Sequence, residues 1–128
     1  DKDRLSYGIS SIQFPSHFLH EILRLLARQL AEMIRETDTL GRWGGEEFLI
    51  ICPETSIQGA NILADKLRED VDGYSLPYVG HISCSFGVAE LGKGETIDQL
   101  INRADESLYR AKQEGKNCVF CSQTEKSD

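Results

Sequence analysis

Long apolar runs and an excess of basic residues are both missing from this chain of 128 residues. No stretch approaches the ~20 apolar residues of a membrane-spanning helix, and the polar first residues do not resemble a signal peptide. The net charge is −7, with 14 basic and 21 acidic residues. Because binding to nucleic acid or anionic lipid depends on basic surface, we expect no nucleic-acid partner and no membrane contact by this domain.

Cysteine is also scarce, at four residues in the whole chain. Four scattered cysteines do not make a disulfide framework, so the sequence is typical of a reducing, cytoplasmic location. Cys118 and Cys121 form a CxxC, but zinc would need a second ligand pair, and a strand sends these two side chains to opposite faces. We therefore predict that the cysteines are structural.

The remaining composition, 40% hydrophobic and 27% charged, is typical of an ordinary globular domain. The length predicts one domain over residues 1–128. Within it, residues 1–16 form a divergent N-terminal segment with some strand character. The polar residues 123–128 form a tail that we expect to be frayed.

Hydrophobic periodicity predicts most of the secondary structure. Apolar residues at helical spacing indicate amphipathic helices over residues 17–36, 56–72 and 96–114. Alternating and β-branched runs indicate strands over residues 4–14, 39–43, 46–52, 81–91 and 117–121. Ser56 and Thr96 stand where helix N-caps are expected, and Gly73 and Gly115 where helices stop. This order favours an α/β (α+β) fold, with helices covering a mainly antiparallel sheet.

The segment RWGGEEFLIICPE at 42–54 places two glycines and two glutamates directly before a strand. Taken alone, Gly44 and Gly45 are typical of a type I′ hairpin turn, and Glu46 and Glu47 of solvated charges. Lys112 and Lys116, near the end of the last helix, fit simple compensation of the helix dipole. Without further context, these ordinary structural roles are the better interpretation.

Three motifs in order change that interpretation, because together they resemble the GGDEF family, the diguanylate cyclases of bacterial signalling. They are RETDTLGRWGGEEFLII at 35–51, SCSFGVAEL at 83–91 and ADESLYRAKQEGKNCV at 104–119. The resemblance runs over about residues 21–119. It implies a fold like that of nucleotidyl cyclases and polymerase palms, with the GGEEF motif on a β-hairpin.

The resemblance also implies a reaction in which two GTP molecules, one held by each subunit of a homodimer, condense to cyclic di-GMP and release pyrophosphate. Glu46 would bind Mg²⁺, with Mn²⁺ as a possible substitute. Glu47 would be a second carboxylate, assisting either the metal or the attacking 3′-hydroxyl. Gly44 and Gly45 would let the backbone approach the nucleotide.

Further residues match family positions that bind phosphate or product. Lys112 and Lys116 would reach the triphosphate. Arg35 and Asp38 match an Arg-x-x-Asp site at which cyclic di-GMP inhibits these enzymes, and Lys66 falls where many members place an additional arginine. A second hypothesis follows, in which the domain is catalytically degenerate and acts as a cyclic di-GMP receptor or interaction module through the Arg35–Asp38 site.

The sequence departs from the family pattern before the long helix. Members carry an Asp-x-Asp-x-Phe-Lys-x-x-Asn-Asp stretch, then Gly-His and Gly-Asp, which supplies metal and guanine ligands. Ungapped alignment places Asp3 at the metal aspartate and Leu5 at the second aspartate. It places Ser11 at the guanine asparagine, and Leu19 and His20 at the Gly-Asp pair.

Two other alignments of the N-terminal segment remain open. Residues 1–3, DKD, could supply the Asp-x-Asp with a small insertion after it. Alternatively, residues 3–6 could match an earlier family turn, which leaves several dozen residues missing before the long helix. If the segment is shortened, the residues that read guanine are lost, and affinity and selectivity for GTP should fall with them.

Overall fold

The computed structural model describes residues 5–13, 19–76 and 80–123. The elements are β1 (Leu5–Gln13), α1 (Leu19–Met33), β2 (Thr39–Gly44), β3 (Glu47–Pro53), α2 (Ile57–Asp72), β4 (Ser75–Leu76), β5 (Gly80–His81), β6 (Ser83–Glu90), α3 (Ile97–Gln113) and β7 (Val119–Cys121). Asp3 and residues 124–128 of the predicted tail lie outside the described residues. None of the helices described is long and apolar enough to cross a membrane.

The main sheet has five strands in the order β2-β3-β1-β6-β7. Every pairing is antiparallel except that of β6 with β7, which is parallel. The predicted α/β architecture with a mainly antiparallel sheet is therefore confirmed. The central strand is β1, which pairs with both β3 and β6, so the divergent N-terminal segment supplies the middle of the sheet.

Helices cover both faces of this sheet because β3 and β6 alternate their side chains between them. On one face, α1 and α2 pack against every second residue of these strands: Phe48, Ile50, Cys52, Cys84, Phe86 and Val88. On the other face, α3 packs its buried residues Leu100, Ala104 and Leu108 against Leu49, Ile51 and Ala89. Glu47 has the same parity as Leu49 and Ile51, which places it on the α3 face.

Several boundaries differ from those predicted, and two of the differences have a visible cause. The predicted strand 81–91 is interrupted at Ile82: His81 pairs with Ser75 in a separate two-stranded sheet, and the main-sheet strand starts at Ser83. His81 is held there because its Nε2 lies 2.7 Å from Asp72 Oδ1 at the end of α2. The first helix ends at Met33 rather than at residue 36, because the Arg35 backbone N–H donates to Asp38 Oδ2.

The predicted caps are confirmed. The Ser56 hydroxyl accepts a hydrogen bond from the Gly59 N–H, and Thr96 and Gln99 form a reciprocal capping box at the start of α3. The Glu90 carboxylate, at the end of β6, accepts from the Ile57 N–H at 2.7 Å. A negative side chain at a helix N-terminus is favourable, so this contact ties α2 to the central part of the sheet.

Helix α3 approaches the sheet closely at Gly87 in β6. A Cβ atom at this position would lie 2.1 Å from the Ala104 carbonyl oxygen and 2.3 Å from the Leu108 nitrogen. Both are backbone atoms of α3, which cannot rotate away as a side chain does. Glycine is therefore required here by the close approach of α3, rather than by a special backbone angle.

We expect Gly87→Ala to lower the free energy of unfolding by at least ~1–3 kcal/mol, because α3 must move away from the sheet. The matched control is Gly41→Ala in β2, where an added Cβ has no neighbour within 4 Å. Urea unfolding followed by circular dichroism measures both variants. Equal stability of the two would contradict the proposed packing.

A charged cluster holds the segment between β6 and α3. The Arg103 Nε donates to Glu95 Oε2 at 2.6 Å, and its Nη2 donates to the Glu90 carbonyl oxygen. The Gly92 N–H also donates to Glu95. The Arg103 guanidinium, aided by the Gly92 N–H, lowers the pKa of Glu95 from its usual value, although burial opposes the shift.

A lowered pKa in the folded state makes Glu95 stabilising above its unfolded pKa, and this contribution disappears as the pH falls through the folded pKa. We therefore expect Glu95→Gln to destabilise the protein at neutral pH and to make little difference at strongly acidic pH. Thermal unfolding between pH 7 and pH 2 measures this dependence. A stability difference that stays constant with pH would exclude the role of the Glu95 charge.

Candidate functional site

The GGEEF motif lies on a β-hairpin between β2 and β3, as predicted. β2 continues through Gly44, which pairs with Glu47, and the register shifts between Arg42 and Gly44. The turn therefore consists of Gly45 and Glu46, one residue later than the Gly-Gly pair suggested. Gly45 has φ +42°, a left-handed conformation that favours glycine, and Glu46 is exposed at the tip.

Arg42 fixes the conformation of this turn. Its guanidinium donates two hydrogen bonds to the Gly45 carbonyl oxygen, from Nε at 3.1 Å and from Nη2 at 2.8 Å. The two bonds close the hairpin across its tip. Arg42 was not predicted as a site residue, although its position two residues before Gly44 was an available indication.

Glu47 and Lys112 meet beside the turn, although they lie far apart in the sequence. Their Oε2 and Nζ atoms are 3.6 Å apart, and the side chains are 28% and 32% exposed. Lys112 belongs to the last turn of α3, which covers the sheet face that carries Glu47. The structure thus brings one predicted carboxylate and one predicted phosphate-binding lysine together at a solvent-accessible position.

Lys116 lies beyond the end of α3. The helix ends in a Schellman-type turn, in which the Lys116 N–H donates to the Ala111 carbonyl oxygen at 3.0 Å and Gly115 has φ +114°. The Lys116 side chain is exposed and forms no hydrogen bond or ion pair with the described residues. The two lysines are therefore presented differently, one by the helix and one by the turn that follows it.

β1, the strand that pairs with β3 beside the turn, contains no acidic residue. β1 has the sequence LSYGISSIQ, and its residue Ser11 is the sheet partner of Glu47. Leu5 and Ser11, which ungapped alignment set at metal and guanine positions, are both strand residues. Only residues 14–18 connect β1 to α1.

The donor set for a metal is therefore small. Among the residues described, no group of three or more His, Cys, Asp or Glu side chains could hold a metal ion. Glu46 and Glu47 remain as two adjacent carboxylates. Mg²⁺ in proteins is often held by one or two carboxylates together with substrate phosphates. These residues fit an ion that arrives with a triphosphate, and they do not form a closed protein cage.

An open cavity of about 330 Å³ lies between α1 and the hairpin. Apolar side chains of Leu23, Ala27, Leu40 and Phe48 line it, together with Gly41 and the two arginines Arg24 and Arg42. Arg42 lines this cavity and also binds the Gly45 carbonyl oxygen. The cavity is therefore adjacent to the turn, and it combines apolar walls with cationic hydrogen-bond donors.

Arg35 and Asp38 pair with each other. Arg35 Nη2 lies 2.8 Å from Asp38 Oδ1, and the Asp38 side chain is fully buried while that of Arg35 is 52% exposed. The hydrogen bond to Asp38 raises the pKa of Arg35. Arg35 also donates to the Thr55 hydroxyl. Lys66 lines a different groove, beside Asp65, Arg68 and Asn117, and neither Arg35 nor Asp38 belongs to that lining.

The buried cysteines are poor candidates for chemistry. Burial raises the pKa of Cys52 and of Cys84 to about 12. Both side chains therefore remain neutral thiols at physiological pH, whereas the thiolate is the nucleophile and the metal ligand. All four cysteines are free. Cys52 and Cys84 are buried, and Cys118 and Cys121 are partly buried, which fits the structural role that the sequence predicted.

Solved structures share this fold. The active GGEEF domain of a diguanylate cyclase from Vibrio cholerae superposes with a TM-score of 0.83 at 28% identity, over 94% of this chain and 84% of that one. The diguanylate cyclase SiaD from Pseudomonas aeruginosa, solved with its activator SiaC, has a TM-score of 0.83 at 29% identity, over 92% and 50%. The predicted cyclase-like fold is confirmed.

Sequence comparison gives the same family. Escherichia coli diguanylate cyclase DgcM is 40% identical over 102 residues, which is 80% of this chain and 25% of that protein. Vibrio cholerae diguanylate cyclase VdcA is 39% identical over 109 residues, which is 80% of this chain and 32% of that protein. This chain thus spans only a quarter to a third of these relatives. The family profile described as diguanylate cyclase, GGDEF domain, matches residues 17–118. The chain belongs to the GGDEF family.

Proposed function

We propose that this chain is a diguanylate cyclase domain, which condenses two GTP molecules into cyclic di-GMP with release of pyrophosphate. The observation that carries the proposal is the meeting of Glu47 and Lys112 at 3.6 Å beside the GGEEF turn. It supplies a carboxylate and an ammonium from separate elements at one place, next to a glycine turn. The names of the relatives support the same activity.

Transfer of a nucleotidyl group depends on positioning and on neutralisation of charge, more than on covalent help from the protein. Lys112 and Lys116 provide positive charge for the triphosphate. Gly45 keeps the backbone at the turn free of a side chain. Glu46 and Glu47 would hold Mg²⁺ or Mn²⁺, and the bound ion would neutralise phosphate charge as it develops.

Glu47 and Lys112 have complementary tasks in this proposal. Without nucleotide they neutralise each other. When a triphosphate binds, its oxygens compete for the Lys112 ammonium, and Glu47 becomes available to accept a hydrogen bond from the attacking 3′-hydroxyl. One chain offers one such turn, so the second GTP has to be presented by a second copy. The homodimer and the cytoplasmic location remain predictions.

We expect Glu46→Ala to reduce cyclic di-GMP synthesis by ~100-fold or more, because loss of a charge-stabilising group at a reacting centre typically costs ~10²–10³ in rate. Glu46→Asp should retain activity, since it keeps the carboxylate. Glu106→Ala, an exposed glutamate on α3, is the matched control. Product is measured by chromatography after incubation with GTP and Mg²⁺. Absence of product from the unaltered protein at high concentration would refute the proposal.

A second candidate function is favoured by β1, which contains no carboxylate, and by its short connection to α1 through residues 14–18. On this alternative the domain does not catalyse and binds cyclic di-GMP at Arg35. The Arg35 side chain is 52% exposed, so on this alternative its guanidinium donates to guanine or phosphate, while the buried Asp38 holds the side chain in place.

Calorimetry with cyclic di-GMP distinguishes the two functions. If the domain is a cyclic di-GMP receptor, Arg35→Ala should weaken binding of cyclic di-GMP by ~10-fold or more, since hydrogen bonds from charged groups contribute ~1.5–3 kcal/mol. Glu46→Ala should bind normally. Arg28→Ala, an exposed arginine on α1, is the matched control, and melting temperatures check that each variant folds. An unaltered protein that binds no cyclic di-GMP rules out the receptor function.

A further inference from the structure

Two consecutive residues after α3 have a left-handed backbone although neither is glycine. Lys116 has φ +65° and Asn117 has φ +50°. Asparagine adopts this region comparatively easily, but lysine does so rarely. Such a conformation is unfavourable for a residue with a Cβ and persists only where surrounding contacts impose it. The contacts that impose this left-handed conformation therefore indicate which residue the turn positions.

Asn117 supplies those contacts through its backbone N–H and both polar atoms of its side-chain amide. Its backbone N–H donates to Ser85 Oγ at 2.9 Å, and its Nδ2 donates to Asp72 Oδ1 at 3.0 Å. Its Oδ1 accepts from Arg68 Nη1 at 3.3 Å. Ser85 is fully buried in β6, while Asp72 and Arg68 belong to α2. Asn117 is thus attached to both the sheet and a helix.

Lys116 is therefore fixed from both sides along the chain. Before it, the α3 terminus holds its backbone through the bond from the Lys116 N–H to the Ala111 carbonyl oxygen. After it, Asn117 is held by Ser85, Asp72 and Arg68. Yet the Lys116 side chain is exposed and has no hydrogen-bonding or ionic partner among the described residues. The restraint on the Lys116 backbone is therefore not explained by any contact that the Lys116 side chain makes with the described residues.

We propose that Asn117 is a positioning residue, which holds Lys116 in its left-handed conformation so that the ammonium group is directed at the triphosphate. Asn117 itself does not touch the ligand. The inference rests on the proposed function only in assigning Lys116 to phosphate. Asp72 stabilises the arrangement further, because the same Oδ1 atom is also 2.7 Å from His81 Nε2.

Calorimetric titration of the full chain with inorganic tripolyphosphate and Mg²⁺ tests this proposal. Lys116→Ala and Asn117→Ala should each weaken binding by about tenfold, or ~1.4 kcal/mol. In the double variant, Asn117→Ala should add nothing to the loss caused by Lys116→Ala, because Asn117 acts through that side chain. Asn102→Ala, an exposed asparagine on α3, should bind as the unaltered protein does.

Three results would overturn the proposal: no binding of tripolyphosphate by the unaltered protein, no effect of Asn117→Ala, or an equal loss in the Lys116→Ala background. If Asn117→Ala does not fold, Asn117→Gly replaces it in the same cycle. Glycine accepts a positive φ but lacks the side-chain bonds. The loss of affinity caused by Asn117→Gly should therefore be smaller than that caused by Asn117→Ala, and it should also vanish in the Lys116→Ala background.

This probe separates the inference from the proposed function. Tripolyphosphate has neither a base nor a 3′-hydroxyl, so its binding does not require cyclisation. A protein that shows the coupling between Asn117 and Lys116 but makes no cyclic di-GMP would refute the cyclase proposal alone. A protein that makes cyclic di-GMP without this coupling would refute the positioning role alone.

Discussion

The contact between α3 and Gly87 determines the geometry of the candidate site. At this point two backbones meet with no room for a side chain, so the spacing between helix and sheet is fixed. Lys112 lies in the last turn of the same helix, and Glu47 lies on the sheet face that the helix covers. The distance between their charges therefore follows from a packing constraint. Ser85, two residues before Gly87, restrains the turn after the helix by a different means, because its hydroxyl accepts a hydrogen bond from the Asn117 N–H.

Sequence periodicity predicted the helices, their caps and the hairpin because each depends on local chemistry. Thr96 and Gln99 cap α3 through contacts within one turn, and such contacts are encoded by spacing alone. The interruption at Ile82 could not be predicted, because it depends on the distant partner Asp72 that holds His81. The central position of β1 in the sheet could not be predicted either, because strand order is set by pairing between strands rather than by the hydrophobic pattern within each strand.

The motifs identify candidate site residues, but not how these residues are paired in the fold. The GGEEF motif names Glu46 and Glu47 as candidates, and the closing motif names Lys112 and Lys116; their roles remain predictions. Nothing in either motif shows that Glu47 and Lys112 neutralise each other, because a motif records order along the chain and the pair spans two elements. For the same reason, the bonds that Arg42 and Asn117 make were missed, although both residues lie within the motifs.

The residues proposed to bind phosphate and those proposed to bind metal are restrained to different degrees. Among the proposed phosphate ligands, Lys116 is restrained by a helix terminus and by three contacts of Asn117, and Lys112 is anchored on α3. Among the proposed metal ligands, Glu46 is exposed at a turn that the hydrogen bonds of Arg42 close, and the adjacent β1 adds no carboxylate. Because pre-ordered groups lose less entropy on binding, we expect the proposed phosphate ligands to lose less entropy on binding than the proposed metal ligands. Phosphate binding and metal binding are therefore separate expectations for this chain. For this reason, binding and catalysis have to be measured separately in this member of the family.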